Sequence, residues 1–215
     1  MELKGKKIVF LGDSITQGHG TSSNSTRYPD LLEKTEGICA VNLGIGGTRI
    51  AKQPGDNERK DLDYCSRVGT VDTDADVIVV FGGTNDFGHG FAPIGNPEDR
   101  DENTFIGALH LLFSSLITRC PDAVIVVVTP LHRLNEDDPH GDVKPEEVLP
   151  LSGYVSLIKE TAAYYSLPVL DLWSVSGIQP KVPVMREKYM PDGLHPNDLG
   201  HKRIASLLAG FLKTL

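Results

Sequence analysis

A serine, a histidine and a carboxylate in this sequence have the residue types that acyl transfer requires. Ser14 follows the apolar residues 8–11 and a Gly-Asp pair. Near the other end of the chain, His195 stands three residues after Asp192. A serine hydroxyl attacks a carbonyl carbon when a histidine takes its proton and a carboxylate orients that histidine. Ser14, His195 and Asp192 are therefore the candidate nucleophile, base and orienting acid, and His19 could line the same site.

Two glycine-containing stretches offer hydrogen-bond donors for the oxyanion that such an attack creates. The first reads Asn-Leu-Gly-Ile-Gly-Gly-Thr from Asn42, and the second reads Gly-Gly-Thr-Asn-Asp up to Asp86. Glycine lets a backbone N–H face a ligand without a side chain in the way, and an asparagine amide adds a neutral donor. Gly47 and Asn85 are the candidate donors, with Gly46 left open as an alternative to Gly47.

Each of these residues also has a structural interpretation, and the Asp-x-x-His spacing occurs more than once. Asp13 or Ser14 could cap a helix after the first strand, and we assign Asp13 and Asp86 capping or supporting roles. The same spacing joins Asp86 to His89, which makes His89 the strongest rival to His195. Further copies of the spacing occur at Asp137 and His140 and at Asp198 and His201. Spacing alone therefore does not select the base.

Short apolar runs around these residues predict the strands of a parallel sheet. The runs cover residues 8–11, 39–43, 77–81, 123–128 and 168–172. Segments of helical spacing alternate with them, over residues 28–34, 58–68, 104–119, 152–165 and 197–212. This alternation predicts a three-layer α/β/α fold with a flavodoxin-like, five-stranded parallel sheet in the order 2-1-3-4-5. Because ligands bind beyond the carboxyl ends of such strands, Ser14, Gly47 and Asn85 are expected to meet at one edge.

Length and composition indicate a single domain over residues 1–215. The chain is 40% hydrophobic and 23% charged, which is ordinary for a globular protein. Three long irregular segments leave the carboxyl edge of the predicted sheet, at residues 88–103, 131–150 and 174–192. Loops of this length inside a compact domain are often functional.

Charge and hydropathy exclude several classes of partner. The net charge of −8 argues against a nucleic-acid or anionic-membrane surface, which would need clustered lysine and arginine. No apolar run is long enough to span a membrane, and the run at 8–11 is too short for a signal peptide. We therefore expect a cytoplasmic protein, with Cys39, Cys65 and Cys120 as reduced, buried thiols.

Four blocks of the sequence, in order, resemble the motifs of the SGNH hydrolases, the Gly-Asp-Ser-Leu esterase and lipase family. They are Gly-Asp-Ser at Ser14, Asn-x-Gly-x-x-Gly ending at Gly47, Gly-x-Asn-Asp containing Asn85, and Asp-x-x-His ending at His195. The first block continues with isoleucine where the family name has leucine. By this resemblance Ser14 is the nucleophile and His195 is the base that Asp192 orients. The oxyanion hole consists of the Ser14 and Gly47 backbone N–H groups and the Asn85 side chain.

The resemblance implies a serine esterase that hydrolyses small-molecule carboxylic esters through an acyl-enzyme, without a metal or cofactor. Members of the family act on lipids, thioesters, aryl esters and acetylated sugars. Because no long apolar segment suggests a lipid interface, we expect short acyl chains such as acetyl esters of carbohydrates. A lipase, lysophospholipase or thioesterase is the alternative within the family.

Two interpretations outside the family are weaker. A metal-dependent phosphoesterase could use Asp13, Asp86, Asp192 and His195 as ligands, but the sequence has no paired histidines. A phosphate- or nucleotide-binding module would need a phosphate-binding glycine motif, and none follows the first strand.

Overall fold

The computed structural model describes residues 1–53 and 62–215, and these residues contain one five-stranded parallel sheet. Its strands are β1 (Lys7–Gly12), β2 (Cys39–Gly44), β3 (Val77–Phe81), β4 (Val124–Val128) and β5 (Val169–Leu170). The strand order is β2-β1-β3-β4-β5, and every neighbouring pair is parallel. The predicted order and direction of the sheet are confirmed.

Helices cover both faces of this sheet. They are α1 (Ser14–Gln17), α2 (Tyr28–Glu36), α3 (Thr84–Gly88), α4 (Phe105–Arg119), α5 (Leu151–Tyr164), α6 (Leu172–Val175), α7 (Pro183–Tyr189) and α8 (Asp198–Leu212). Alternate strand residues point to opposite faces, so Val9 and Ile78 pack with α4 and α5, while Ile8 and Val79 pack with α2 and α8. Burial on both faces explains the continuous apolar strand sequences. None of the described helices is long and apolar enough to cross a membrane.

One predicted helix and one predicted strand differ from the structure. Of the helix predicted over 58–68, residues 58–61 lie outside the described residues, 62–67 form an irregular turn, and a short 3₁₀-helix covers Val68–Thr70. The spacing of the apolar residues suggested one face of a helix, but the described part of the segment turns inward to the ends of the strands. The strand predicted over 168–172 stops after two residues, because the Asp171 carboxylate accepts a hydrogen bond from the backbone N–H of Ser174 and begins α6.

The three cysteines are free thiols, but they are not all buried. Cys120 is buried and Cys65 is partly buried, whereas Cys39 is exposed. The prediction of a buried thiol is therefore wrong for Cys39. The reason is position, since Cys39 begins β2, which lies at an edge of the sheet.

Two glycines allow α1 to lie across the ends of β1 and β2. Gly12 and Gly44 are paired in register at the carboxyl ends of the two strands. A Cβ atom at Gly12 would lie 1.9 Å from the Thr16 hydroxyl oxygen, and one at Gly44 would lie 2.2 Å from the backbone nitrogen of Gln17. Larger residues would push α1 away, so these glycines place Ser14 at the carboxyl edge of the sheet.

Candidate active site

Ser14, His195 and Asp192 form a continuous chain of side-chain contacts. The Ser14 hydroxyl oxygen lies 3.1 Å from His195 Nε2, and His195 Nδ1 lies 2.7 Å from Asp192 Oδ2. An ionised carboxylate can only accept, so His195 Nδ1 carries the proton and donates it to Asp192. The lone pair of Nε2 then faces the Ser14 hydroxyl, as proton abstraction from that hydroxyl requires. The structure thus brings together the three side chains predicted for proton transfer.

Backbone hydrogen bonds hold the Asp192 carboxylate in its orientation. Its Oδ1 accepts from the N–H of Leu194 at 2.8 Å and from the N–H of His195 at 2.7 Å. Burial works to raise the pKa of Asp192, but these bonds and the His195 ring outweigh it and hold the pKa below its ordinary value. Asp192 is therefore ionised at neutral pH, although half of its side chain is exposed to solvent.

His195 is neutral under the same conditions. Burial lowers its pKa below the ordinary 6.5, and the opposing effect of Asp192 is too small to restore it. The proximity of the His19 ring and of the Arg133 guanidinium lowers the pKa of His195 further. A neutral imidazole has the free lone pair that a general base needs.

Among the candidate oxyanion donors, the hydrogen bonds separate the two glycines. The N–H of Gly46 donates to the side-chain oxygen of Gln17 at 2.8 Å, so this donor is already occupied. The N–H of Gly47 makes no hydrogen bond within residues 1–53 and 62–215, and its backbone has a φ of 76°. Asn85 Nδ2 donates to the carbonyl of Thr48 at 3.0 Å. That bond fixes the amide and leaves its second N–H available.

A buried arginine supports this side of the site, and sequence reasoning missed it. The Arg67 guanidinium donates to the carbonyls of Leu43 at 2.7 Å and Gly12 at 3.1 Å, and to the Thr48 hydroxyl at 3.0 Å. It lies 4.7 Å from the centre of the Tyr64 ring. Arg67 therefore joins the ends of β1 and β2 to the residue that anchors Asn85. No sequence motif indicates this role of Arg67. The residue also lies in the segment 58–68, which was predicted to be an ordinary helix.

Asp86 is engaged by the backbone and does not orient His89. Its two carboxylate oxygens accept from the N–H groups of Ile50 and Ala51, each at 3.0 Å. Burial, partly offset by these bonds, raises the pKa of Asp86 to about 6. His89 Nε2 instead lies 3.2 Å from the carbonyl oxygen of Gly47. The structure does not assemble the rival Asp86–His89 pair as acid and base.

Among the described residues, none of the remaining candidates hydrogen-bonds to the Ser14 hydroxyl or to the His195 ring. Asp13 caps α1 by accepting from the Ile15 N–H at 2.9 Å, and burial raises its pKa to about 7. His201 is fully buried and its Nδ1 accepts from the Tyr28 N–H at 3.1 Å, whereas His140 is exposed. These contacts are structural, and the two-metal arrangement that includes Asp13 and Asp86 is not assembled among the described residues.

The long segment 131–150 is attached to both sides of the site. The Leu134 N–H donates to the carbonyl of Gly193, beside Asp192, at 2.8 Å. The buried guanidinium of Arg133 donates to the carbonyl of Thr84, which precedes Asn85, at 3.3 Å. Sequence reasoning placed this segment at the correct edge but did not identify either contact.

A parallel α/β sheet with serine, histidine and carboxylate in contact at its carboxyl edge is the arrangement of a serine hydrolase. The model of the GDSL-like Lipase/Acylhydrolase family matches residues 10–203 of this sequence. The chain therefore belongs to that family and is a carboxylic ester hydrolase. The resemblance inferred from the four sequence blocks is confirmed.

Individual relatives span most or all of the chain. It is 28% identical to a GDSL lipase of Mycobacterium tuberculosis, over 94% of this chain and 79% of that protein. It is 23% identical to an acetylxylan esterase of Xylanibacter ruminicola, over 96% of this chain but only 43% of that longer protein. A crystal structure of a Lactobacillus plantarum protein superposes with a TM-score of 0.85 at 31% identity, covering 99% of this chain and 98% of that one.

Proposed function

We propose that this hydrolase is a serine esterase that cleaves short-chain esters through an acyl-enzyme on Ser14. The contact chain from Ser14 through His195 to Asp192, at 3.1 and 2.7 Å, carries the proposal. His195 acts as the base and Asp192 orients it. The N–H groups of Ser14 and Gly47 and the second amide N–H of Asn85 form the oxyanion hole.

The proposed reaction balances its protons through His195. Ser14 attacks the ester carbonyl while Nε2 takes the hydroxyl proton, and the oxyanion hole stabilises the negative oxygen. The imidazolium then gives that proton to the departing alcohol, which leaves an acyl-enzyme. A water molecule, deprotonated by His195, then attacks the acyl-enzyme, and the imidazolium returns the proton to the Ser14 oxygen as the acid leaves. Asp192 stays ionised throughout, because it accepts from two backbone N–H groups as well as from the ring.

We further propose acetyl esters of carbohydrates as the substrate class. The relative from Xylanibacter ruminicola is named for this chemistry. The side chains of Gln17, His19 and Asp192 are exposed near Gly46 and His195 and give the site a polar rim. Such a rim suits the hydroxyl groups of a sugar better than an acyl tail. The relative from Mycobacterium tuberculosis, which shares more identity, is named a lipase. A lipid ester is therefore the second candidate.

A panel of p-nitrophenyl esters and acetylated oligosaccharides separates the two candidates. We expect kcat/KM to fall from acetyl to octanoyl esters, because each methylene that does not fit costs roughly 1–3 kcal/mol. Acetate should also be released from acetylated xylan or mannan fragments. A preference for dodecanoyl esters would replace the acetyl proposal with the lipase.

Ser14→Ala tests the nucleophile, and the exposed Ser25 supplies a matched control. The first variant should lose about 10⁴–10⁶ in turnover and all labelling by a fluorophosphonate. Ser25→Ala should keep both. A Ser14→Ala protein with a tenth of the wild-type rate would overturn the proposed mechanism.

A further inference from the structure

His19, Asp192 and His195 form a cluster that the proposed ester hydrolysis uses only in part. One ligand atom from each residue lies within 4.8 Å of the other two. In the part of the chain that the structure describes, no other group of histidine, cysteine and acidic side chains meets this spacing. The His19 and His195 rings are centred 4.1 Å apart and tilted by 56°. The His19 imidazole makes no hydrogen bond to any described residue.

Backbone contacts keep His19 beside His195 without engaging its ring nitrogens. The N–H of His19 donates to the carbonyl of Ser14 at 2.8 Å. Farther along the same loop, the N–H and hydroxyl of Ser22 donate to the Asp198 carboxylate at 2.8 and 2.6 Å. Between them, a Cβ atom on Gly20 would lie 2.5 Å from the carbonyl oxygen of Pro196. The two loops are packed together, and both nitrogens of His19 remain available to a ligand.

We propose that His19, Asp192 and His195 bind a zinc ion that reversibly inhibits the esterase. Two imidazole nitrogens and one carboxylate oxygen, with water in the fourth position, are a common ligand set for Zn²⁺. With bonds of about 2.0–2.2 Å, tetrahedral ligand atoms lie about 3.3–3.6 Å apart. Atoms already within 4.8 Å of one another need shifts of about 1 Å to reach that geometry. The His19 side chain is exposed and its ring makes no hydrogen bond to a described residue, so His19 can supply most of the shift while Asp192 and His195 stay in place.

Inhibition follows from the acceptor capacity of His195 and rests on the proposed function. A neutral imidazole has one nitrogen that accepts and one that carries a proton. If zinc binds Nε2, the Ser14 hydroxyl loses its acceptor directly. If zinc binds Nδ1, the proton moves to Nε2, which then cannot take a proton from Ser14. No covalent bond of the chain changes, so removal of the ion restores activity.

Zinc titration of ester hydrolysis tests the site, with each protein compared with its own rate in the presence of a chelator. We expect wild-type enzyme to be inhibited and His19→Ala to need at least about tenfold more Zn²⁺ for the same fractional inhibition. The exposed His140 gives a matched control, and His140→Ala should be inhibited like the wild type. Equal inhibition of the wild type and His19→Ala would overturn the proposal.

Direct binding keeps this test separate from the proposed function. Calorimetry of the Ser14→Ala protein with Zn²⁺ should show one site, which the Ser14→Ala/His19→Ala double variant binds at least about tenfold more weakly. If Ser14→Ala abolishes hydrolysis but His19→Ala does not weaken zinc binding, the zinc site is wrong and the esterase mechanism stands. If Ser14→Ala still hydrolyses esters, the mechanism fails and calorimetry still decides the zinc site.

Discussion

The two sides of the candidate site are built by different means. On one side, Asp192 and His195 stand three residues apart in one loop, contact each other at 2.7 Å, and leave half of the Asp192 side chain in solvent. On the other side, Gly47 and Asn85 come from the ends of different strands and depend on buried groups such as Arg67. The side proposed for proton transfer is local and partly exposed, whereas the side proposed to bind the oxyanion is assembled from distant segments and is more deeply buried.

This contrast predicts different consequences of substitution. Changes on the proton-transfer side should affect turnover with little loss of stability, because few buried contacts are lost there. Changes on the oxyanion side should affect both, because the same hydrogen bonds hold the strand ends and position the donors.

The largest effect is expected for Asp192→Asn. The backbone N–H groups of Leu194 and His195 already donate to Oδ1, so the amide oxygen of the variant should take that place. Its NH₂ group then faces His195 Nδ1 and favours the tautomer with the proton on Nε2. We expect kcat to fall by about 10⁴, since that tautomer cannot accept the Ser14 proton.

Stability measurements complete this test. The introduced asparagine accepts the same two backbone bonds, so the melting temperature should stay close to that of the wild type. Asp192→Ala, which imposes no tautomer, should be no less active than Asp192→Asn. If Asp192 only orders its own loop, Asp192→Asn should instead be nearly as active as the wild type.

A smaller loss of turnover is expected for Asn85→Ala. Removing one donor to the oxyanion costs about 10²–10³ in kcat, with little change in KM, because the interaction forms mainly in the transition state. The variant also loses the hydrogen bond from Nδ2 to the Thr48 carbonyl, a contribution of about 1 kcal/mol to stability. A lower melting temperature with unchanged kcat would remove Asn85 from the mechanism.

Arg67→Met tests whether the buried support matters for catalysis. Methionine fills part of the same volume but leaves the carbonyls of Gly12 and Leu43 without this donor, at a cost of about 1–3 kcal/mol for each group left unpaired. A displacement of about 1 Å in the donors can reduce kcat up to about 10²-fold. The exposed Arg100 provides the control, since Arg100→Met should change neither rate nor melting temperature.

The same contrast explains how far the sequence could predict this structure. The sheet order was predictable, because continuous apolar strands that alternate with helical segments reflect local physical requirements. The Asp-x-x-His spacing did not by itself separate His195 from His89, and His195 was preferred through the resemblance to the SGNH hydrolases.

The role of Arg67 was not predictable, because its acceptors at Gly12 and Leu43 are backbone carbonyls, which every residue carries. The irregular turn over 62–67 was also missed. Its apolar spacing suggested a helix, whereas the segment is held by contacts to distant backbone groups, such as those of Arg67 to Leu43 and Gly12.

The pH dependence of kcat/KM should report His195. Its folded pKa lies below the ordinary 6.5, with burial as the main cause. Activity depends on the neutral imidazole, so the acid limb should lie below pH 6.5, lower than for an unperturbed histidine. At neutral pH the rate should therefore be nearly constant, and Asp192→Ala should move the acid limb further down, because Asp192 favours the imidazolium. An acid limb above pH 7 in the wild type would contradict the assignment.

The smallest effect on turnover is expected for Asp13→Asn, and its pH dependence contrasts the buried Asp13 carboxyl with the half-exposed Asp192 carboxyl. Asparagine can accept the Ile15 N–H as aspartate does, so α1 and kcat should be largely preserved. Stability should behave differently, because burial raises the folded pKa of Asp13 from 3.8 to about 7. Between those values the folded chain binds more protons than the unfolded chain, so this carboxyl lowers wild-type stability as pH rises from about 4 to 7. Asparagine does not titrate, and the melting temperature of Asp13→Asn relative to the wild type should therefore increase over that range, by about 2–4 °C per kcal/mol. A difference in melting temperature that stays constant from pH 4 to pH 8 would show that the pKa of Asp13 is not raised in the folded state.

The half-exposed Asp192 has a lowered pKa, so we expect the opposite sign there. Its contribution to stability is lost as pH falls below about 4. The melting temperature of Asp192→Asn relative to the wild type should therefore increase only at those lower pH values.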